Sequence, residues 1–358
     1  MTCLNEFSGM AKHHLVIRAD ANAQMGTGHL MRCLALAQAW HDPGEQVHFV
    51  LATEASALEA RLTAEGMRVH HIDAMPGSTA DATQAIRLAQ QVEAPWIVLD
   101  GYHFDATYQR IVKEARLRLL FIDDYGHSDH YCADIVLNQN IYAHEGLYVH
   151  REPYTHLLLG TRYALLRREF WPWRNWRREI PEVARKILVT LGGSDPDNET
   201  LKVVQAIQRL TIGGKEAVVV IGGSNPHYHE LESAVHCAQE GICLERDVMD
   251  MTALIAWADV AVSGGGSTCW ELAFMGLPAL VVVLAENQRL IAEGLDSAKV
   301  ALNLGWREEV TVAQIQGVLT DLLTSAEIRA VMANQGQRLV DGEGGYRVKE
   351  VIFQGAGD

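Results

Sequence analysis

A chain of 358 residues, 48% of them hydrophobic, with a formal net charge of −15 at pH 7, is too long for one ordinary core, and two domains of roughly 150–200 residues are the natural division. The acidic balance argues against a nucleic-acid groove or an anionic membrane surface as the main partner, although backbone N–H groups at helix starts can still hold a phosphate locally. Six scattered cysteines with no C-x-x-C pair read as small buried residues of a reducing compartment, and the longest apolar run, Leu277–Ala285, contains a proline and is too short to span a membrane; a soluble cytoplasmic protein without membrane insertion is expected.

The opening MTCLNEFSGMAKHH has no apolar stretch of signal-peptide length, and residues before about 12 read as an extension. Short β-branched runs then alternate with helical patterns: HLVIRA (14–19), VHFVLA (47–52), PWIVLD (95–100), RLLFID (118–123) and DIVLNQ (134–139), with helical apolar spacing over His29–Trp40 and Ala55–Glu65. The rhythm breaks at GTRYALLRREFWPWRNWRREIPE (160–182) and restarts with KILVTLGG (186–193), AVVVIGG (217–223), ICLE (242–245), DVAVSGGG (259–266) and PALVVVL (278–284). Continuous apolar strands separated by helices predict βαβ units and parallel sheets covered on both faces. The expected fold class is α/β, with two Rossmann-like, doubly wound domains facing a central cleft. The first spans 12–165 and the second 183–340, joined by a connector at 166–182, and 341–358 holds a last helix that packs back on the first domain. Trp171, Trp173 and Trp176 make the connector an aromatic hinge, with Arg167, Arg168, Arg174, Arg177 and Arg178 expected to be solvated.

Four strand ends lead through small residues into a helix: Gly26-Thr27-Gly28-His29, Gly192-Gly193-Ser194-Asp195, Gly222-Gly223-Ser224-Asn225 and Ser263-Gly264-Gly265-Gly266-Ser267-Thr268. Each offers N–H donors with no Cβ in the way and the positive end of a helix, which suits a phosphate-bearing ligand. None is a P-loop, and none is a G-x-G-x-x-G followed at the right distance by an acidic residue. Thr268-x-x-Glu271 is open to two readings: a capping box, or a carboxylate placed to bind ribose hydroxyls. His29 likewise reads as a capping or packing residue, or as a general base whose imidazolium the helix dipole disfavours. HSDHYC (127–132) and HYH (227–229) lack a coherent third and fourth ligand, and neither a metal nor a cofactor is expected.

The stretches IRADANAQMGTGHLMRCLALA (17–37), LDGY (99–102), IDDYGH (122–127), NQN (138–140), LGTRYALLRREF (159–170), LGGSDPDNET (191–200), MTALIAWADVAVSGGGSTCWELAFMGLPAL (251–280) and AENQ (285–288) carry a more specific signal. In this order they resemble the nucleotide-sugar hydrolases of pseudaminic-acid biosynthesis, which act on UDP-2,4-diacetamido-2,4,6-trideoxy-β-L-altropyranose, and the spore-coat polysaccharide proteins SpsG. The resemblance covers most of residues 14–300. It implies a GT-B fold related to the GlcNAc transferase MurG, with UDP on the second domain and the sugar on the first. It makes His29 the base candidate, with Gly28 beside it in the substrate-binding loop. It puts Tyr102 in the sugar pocket and Asn287 near sugar and diphosphate, gives Gly193, Ser194, Gly266, Ser267 and Thr268 to the diphosphate, and gives Glu271 to the ribose. The implied partner is a small UDP-sugar; a glycosyltransferase on the same fold and a non-catalytic nucleotide-sugar-binding protein are the rival readings. The residues before 12 and those past about 300 exceed the family pattern and carry no assigned chemistry, and the oligomeric state is left open.

Overall fold

The computed structural model describes residues 14–21, 28–40, 45–193, 195–223, 225–236 and 241–354. The extension expected before residue 12, and Gly26, Thr27, Ser194 and Ser224 of the glycine turns, lie outside the described residues.

The first domain runs β1 (His14–Ala19), α1 (Gly28–Trp40), β2 (Gln46–Leu51), α2 (Ser56–Ala64), β3 (Arg68–His71), α3 (Thr79–Gln91), β4 (Trp96–Asp100), α4 (Ala106–Glu114), β5 (Arg118–Ile122), β6 (Ile135–Asn138) and β7 (His156–Leu159). The second runs β8 (Lys186–Thr190), α5 (Glu199–Gln208), β9 (Glu216–Ile221), α6 (Tyr228–His236), β10 (Ile242–Arg246), α7 (Thr252–Trp257), β11 (Val260–Gly264), α8 (Thr268–Phe274), β12 (Ala279–Val283), α9 (Arg289–Ser297), β13 (Ala301–Trp306), α10 (Val312–Thr324) and α11 (Ala326–Leu339). A last helix, α12 (Gly344–Gln354), returns to the first domain.

The sheets are ordered β3-β2-β1-β4-β5-β6-β7 and β10-β9-β8-β11-β12-β13, with parallel neighbours throughout. Alternate residues of each central strand feed separate cores. Ile17, Phe49 and Ile122 pack with α1 and α12, and Val16, Val50 and Phe121 pack with α3 and α4. Burial on both faces is why these strands read as unbroken apolar runs. Strand order reverses between β1 and β4 in the first sheet and between β8 and β11 in the second. At such a switch point a crevice opens outside the carboxyl ends of the strands.

Three strands go beyond the sequence reading: β3, β7 and β13. All are edge strands; β3 and β13 are partly exposed and carry no continuous apolar run, and β7 is only four residues long. Cys33, Cys132 and Cys269 are buried as expected, but Cys243, on edge strand β10, is exposed; Cys3 and Cys237 lie outside the described residues.

The connector departs from expectation in part: Arg168 and Arg177 are exposed, but Arg167 is buried and Arg174 and Arg178 are partly buried. Arg178 donates to the Ile255 and Ala258 carbonyls and, at 3.2 Å, to that of Met275. Arg174 lies 5.7 Å from the Trp171 ring and 5.1 Å from the Tyr346 ring, and pairs with Glu343. Arg167 is buried between Glu169 and Glu271. Guanidinium groups drawn under a hinge must find partners, since an unpaired buried charge costs several kcal/mol. Arg61 of α2 extends the chain of charges by pairing with Glu169 at 2.9 Å, so one ionic run links α2, the connector and α8. α12 is held to α1 by the stacked rings of Trp40 and Phe353, 4.9 Å apart, and by Lys349 donating to the Trp40 carbonyl. A side chain at Gly344 would meet the Ala164 carbonyl, so this entry into the helix requires glycine.

One buried feature makes stability depend on pH. His48 is 3% exposed and stands between His14, at 3.3 Å, and His70, at 3.0 Å. Burial first, then His70, His14 and Arg68, push its pKa down to about 4. A histidine whose folded pKa lies below its unfolded value of about 6.5 stabilises the fold fully above pH 6.5, and that contribution is lost as pH falls toward 4. Urea unfolding at pH 5 should therefore show about 2 kcal/mol less stability from this residue than at pH 7, and His48→Gln should flatten that part of the profile. Equal pH slopes in the two proteins would exclude His48 as the cause.

Candidate active site

The carboxyl ends of the two sheets face each other across a cleft of about 1310 Å³. Gly28, His29, Tyr102 and Asn140 line its first-domain side, and Gly193, Gly266, Ser267, Thr268, Asn287 and Arg307 its second-domain side. The walls approach closely: a Cβ built on Gly28 would lie 3.9 Å from Ser267 Oγ.

His29 occupies the first turn of α1, which follows β1, and Asp100 ends β4, the strand next to β1 across the switch point. This topology brings His29 Nδ1 to 2.6 Å from Asp100 Oδ1. Nδ1–H donates to the carboxylate, leaving Nε2 available for a proton from the cleft. Asp100 is fully buried and also accepts from Arg32 Nε and Nη2, each at 2.7 Å. Burial alone would raise its pKa, but the Arg32 guanidinium and then His29 outweigh that and hold it well below the usual carboxylate range. Arg32 reaches on to Asp124 Oδ1 at 2.7 Å, and Tyr102 donates to Asp124 Oδ2 at 2.6 Å. Burial and the Asp124 charge push the Tyr102 phenol well up, so it remains an O–H donor. The Tyr102 ring meets His29 edge-on at 4.9 Å. Asn287 completes the line by donating to Tyr102 Oη at 3.0 Å across the cleft. An unbroken run of hydrogen bonds thus joins His29, Asp100, Arg32, Asp124, Tyr102 and Asn287. The sequence assigns no role to Asp100, Arg32 or Asp124, although all three lie in the stretches that carry the resemblance; the local signal for the two aspartates is an acidic residue at the end of an apolar strand, in VLD and FIDD.

On the facing wall, Gln288 Oε1 accepts from Gly265 N and Leu284 N, both at 3.0 Å, which fixes the loop after β11. A Cβ on Gly265 would press on Gln288 at 3.0 Å, whereas one on Gly266 would meet nothing within 4 Å; glycine at 266 leaves that space to the cleft. No side chain caps α8.

The glycine turns are unequal. At α5 the amides of Glu199 and Thr200 are already taken by Asp195, at 3.0 and 2.8 Å, so that helix start is not a free anion site. The third turn reaches the cleft through Gly222, where a Cβ would strike the Gly193 carbonyl, so its glycine answers to packing.

Glu271 stands apart from the cleft-lining residues. The Thr268-x-x-Glu271 capping box does not form, because the N-cap is Ser267. The Glu271 carboxylate is instead held by Arg167 Nη2 at 2.7 Å. Burial raises its pKa, and Arg167 opposes the rise. Away from the cleft, the fold brings Glu152 beside His130 and Cys132, which gives HSDHYC a third candidate ligand from outside the motif, while no fourth His, Cys, Asp or Glu joins them among the described residues.

Residues 187–343 match the family model described as the glycosyltransferase family 28 C-terminal domain. The chain is 29% identical over 235 residues to the spore coat polysaccharide biosynthesis protein SpsG of Bacillus subtilis, covering 65% of this chain and 68% of that one. It is 26% identical over 222 residues to the UDP-2,4-diacetamido-2,4,6-trideoxy-β-L-altropyranose hydrolase of Campylobacter jejuni, covering 61% and 73%. Among solved structures, MurG of Acinetobacter baumannii is similar at TM-score 0.67 over 96% of this chain and 100% of that chain, with 16% identity. The chain therefore has the GT-B fold, two facing parallel-sheet α/β domains, and its second domain matches that of glycosyltransferase family 28.

Proposed function

We propose that the chain is a nucleotide-sugar enzyme that hydrolyses a UDP-linked diacetamido-trideoxyhexose at its anomeric C–O bond. It would release UDP and free sugar in the biosynthesis of a pseudaminic-type nonulosonic acid. The observation that carries this reading is the His29–Asp100 pair on the cleft wall, facing the glycine-lined edge of the second domain. The 26% identity to a protein named for this hydrolysis supports the choice of substrate.

In the proposed reaction, His29 Nε2 takes a proton from water as its oxygen bonds to the anomeric carbon. The bond from that carbon to the diphosphate oxygen breaks, and the electron pair leaves with UDP. Asp100 fixes the tautomer that keeps Nε2 free and balances the imidazolium once formed. The backbone of Gly193, Gly266, Ser267 and Thr268, together with the start of α1 at Gly28, stabilises the charge growing on the leaving diphosphate. Tyr102 and Asn287 hold the sugar between the domains.

A MurG-like transferase is the second reading, favoured by the family 28 match; there His29 would deprotonate an acceptor hydroxyl. The test is to incubate the chain with a panel of UDP-diacetamido-trideoxyhexoses, with water as the only acceptor. Stoichiometric release of UDP and free sugar supports hydrolysis. No release without an added alcohol acceptor refutes it.

Under this reading the Glu271 side chain, next in sequence to the cleft-lining Trp270 but not itself in the lining, turns from Arg167 to reach the ribose hydroxyls when the nucleotide binds. Glu271→Gln should weaken UDP binding about tenfold or more, the worth of a hydrogen bond to a charged group, while Arg167 keeps Glu169 and the chain stays folded. Calorimetry that finds an unchanged Kd in the folded variant removes Glu271 from the nucleotide site.

A further inference from the structure

On the first domain, away from the cleft lining, Tyr131 and Arg151 form an isolated parallel bridge. Tyr131 N donates to the His150 carbonyl at 2.9 Å, and Glu152 N donates to the Tyr131 carbonyl at 3.0 Å. Tyr131 is buried and anchored by its hydroxyl to Asp123 at 2.6 Å. Residues 130 and 132 flank it on the face opposite to its own, and 152 follows the bridged Arg151 onto that same face. The result is a tight group: His130, Cys132 and Glu152 offer one ligand atom each, all within 4.8 Å of one another, with His130 Nε2 3.1 Å from Glu152 Oε1.

We propose that His130, Cys132 and Glu152 bind a zinc-class divalent cation, with solvent as the fourth ligand. One imidazole, one thiolate and one carboxylate suit zinc, which takes sulfur at about 2.3 Å and nitrogen or oxygen at about 2.0–2.2 Å. Tetrahedral ligands at those lengths stand roughly 3.3–3.8 Å apart, so the three atoms, now within 4.8 Å of one another, must draw together to close on an ion. His130 and Glu152 are partly exposed and give an ion access, while Cys132 is buried behind them. Binding converts the Cys132 thiol to thiolate and releases its proton to solvent. Lys113, the nearby ammonium, is already paired with Asp134 at 2.5 Å.

The place of the site suggests its use. The crossover from β6 to β7 contains only a short helical turn at Glu145–Tyr148. Its first residues, including Gln139, Asn140 and Tyr142, line the cleft. A metal joining residue 152 to residues 130 and 132 would clip the far end of this crossover and steady the wall that carries those side chains.

The plain alternative is an exposed His130–Glu152 ion pair beside a buried thiol, worth little to stability. Cobalt(II) titration of the full chain carrying C3S, C237S and C243S separates the two. The proposal expects a sulfur-to-cobalt charge-transfer band that saturates at one equivalent, is bleached by zinc and is absent in added C132S. It also expects zinc to raise the melting temperature of the reference chain and to raise that of E152Q less. Because E152Q alters a partly exposed pair, it serves as the readout should C132S not fold. No band, a band that persists in C132S, or an equal zinc shift in E152Q overturns the proposal.

Discussion

Replacing His29 by asparagine is expected to lower kcat about 10²–10⁴-fold, the usual contribution of a positioned general base. Asparagine keeps much of the size and can still donate toward Asp100, but it cannot take a proton from water. UDP affinity should hold within about twofold, because most of the proposed diphosphate and ribose contacts lie on the other domain. Steady-state kinetics and calorimetry on the same preparation separate the two quantities. A His29→Asn chain with near-normal turnover would refute the base assignment; one that loses UDP binding along with kcat would place His29 in nucleotide binding instead.

Asp100→Asn should combine a catalytic loss with a structural one. The carboxylate accepts from His29 on one side and from both Arg32 nitrogens. An amide cannot accept at both ends, so either Nδ1 faces another donor or Arg32 loses part of its partner. The first outcome turns the imidazole to the wrong tautomer, and kcat should fall about 10²–10⁴-fold. The second breaks part of a buried ion pair, a change that costs about 3–5 kcal/mol when the charge is left alone. Arg32 retains Asp124 at 2.7 Å, so the stability loss should sit at or below the low end of that range. Kinetics well below the melting temperature, beside urea unfolding, measure both. Near-normal kcat in a folded Asp100→Asn chain would show that the carboxylate serves Arg32 alone.

The central strands were legible because burial on both faces forces an apolar run, as in Trp96–Asp100, where every residue is buried. The edge strands were not, because a strand such as Arg68–His71 with partly exposed residues looks like any polar segment. His29 could be singled out because it follows a glycine turn into an amphipathic helix. Asp100 could not, since an aspartate at the end of a strand is commonplace and its meaning comes from the β1–β4 neighbourhood that only the sheet order creates. Arg32 was hidden for a related reason: one turn after His29, it reads as an ordinary helix residue until Asp100 and Asp124 close on it from two other strand ends. Glu271 was read from local spacing, and its Arg167 partner, over a hundred residues earlier, is out of reach of any local pattern. The same holds for Glu152, which joins His130 and Cys132 only through a long-range bridge.

Turnover of the UDP-sugar in ¹⁸O-labelled water is the most direct test of the central claim, that His29 and Asp100 drive water onto the anomeric carbon. Mass spectrometry of both products reads which bond broke. Attack at carbon leaves the label in the free sugar at its anomeric oxygen, with unlabelled UDP, and that is the expected result. Label in the UDP phosphate, with an unlabelled sugar, would mean attack at phosphorus and would contradict the mechanism.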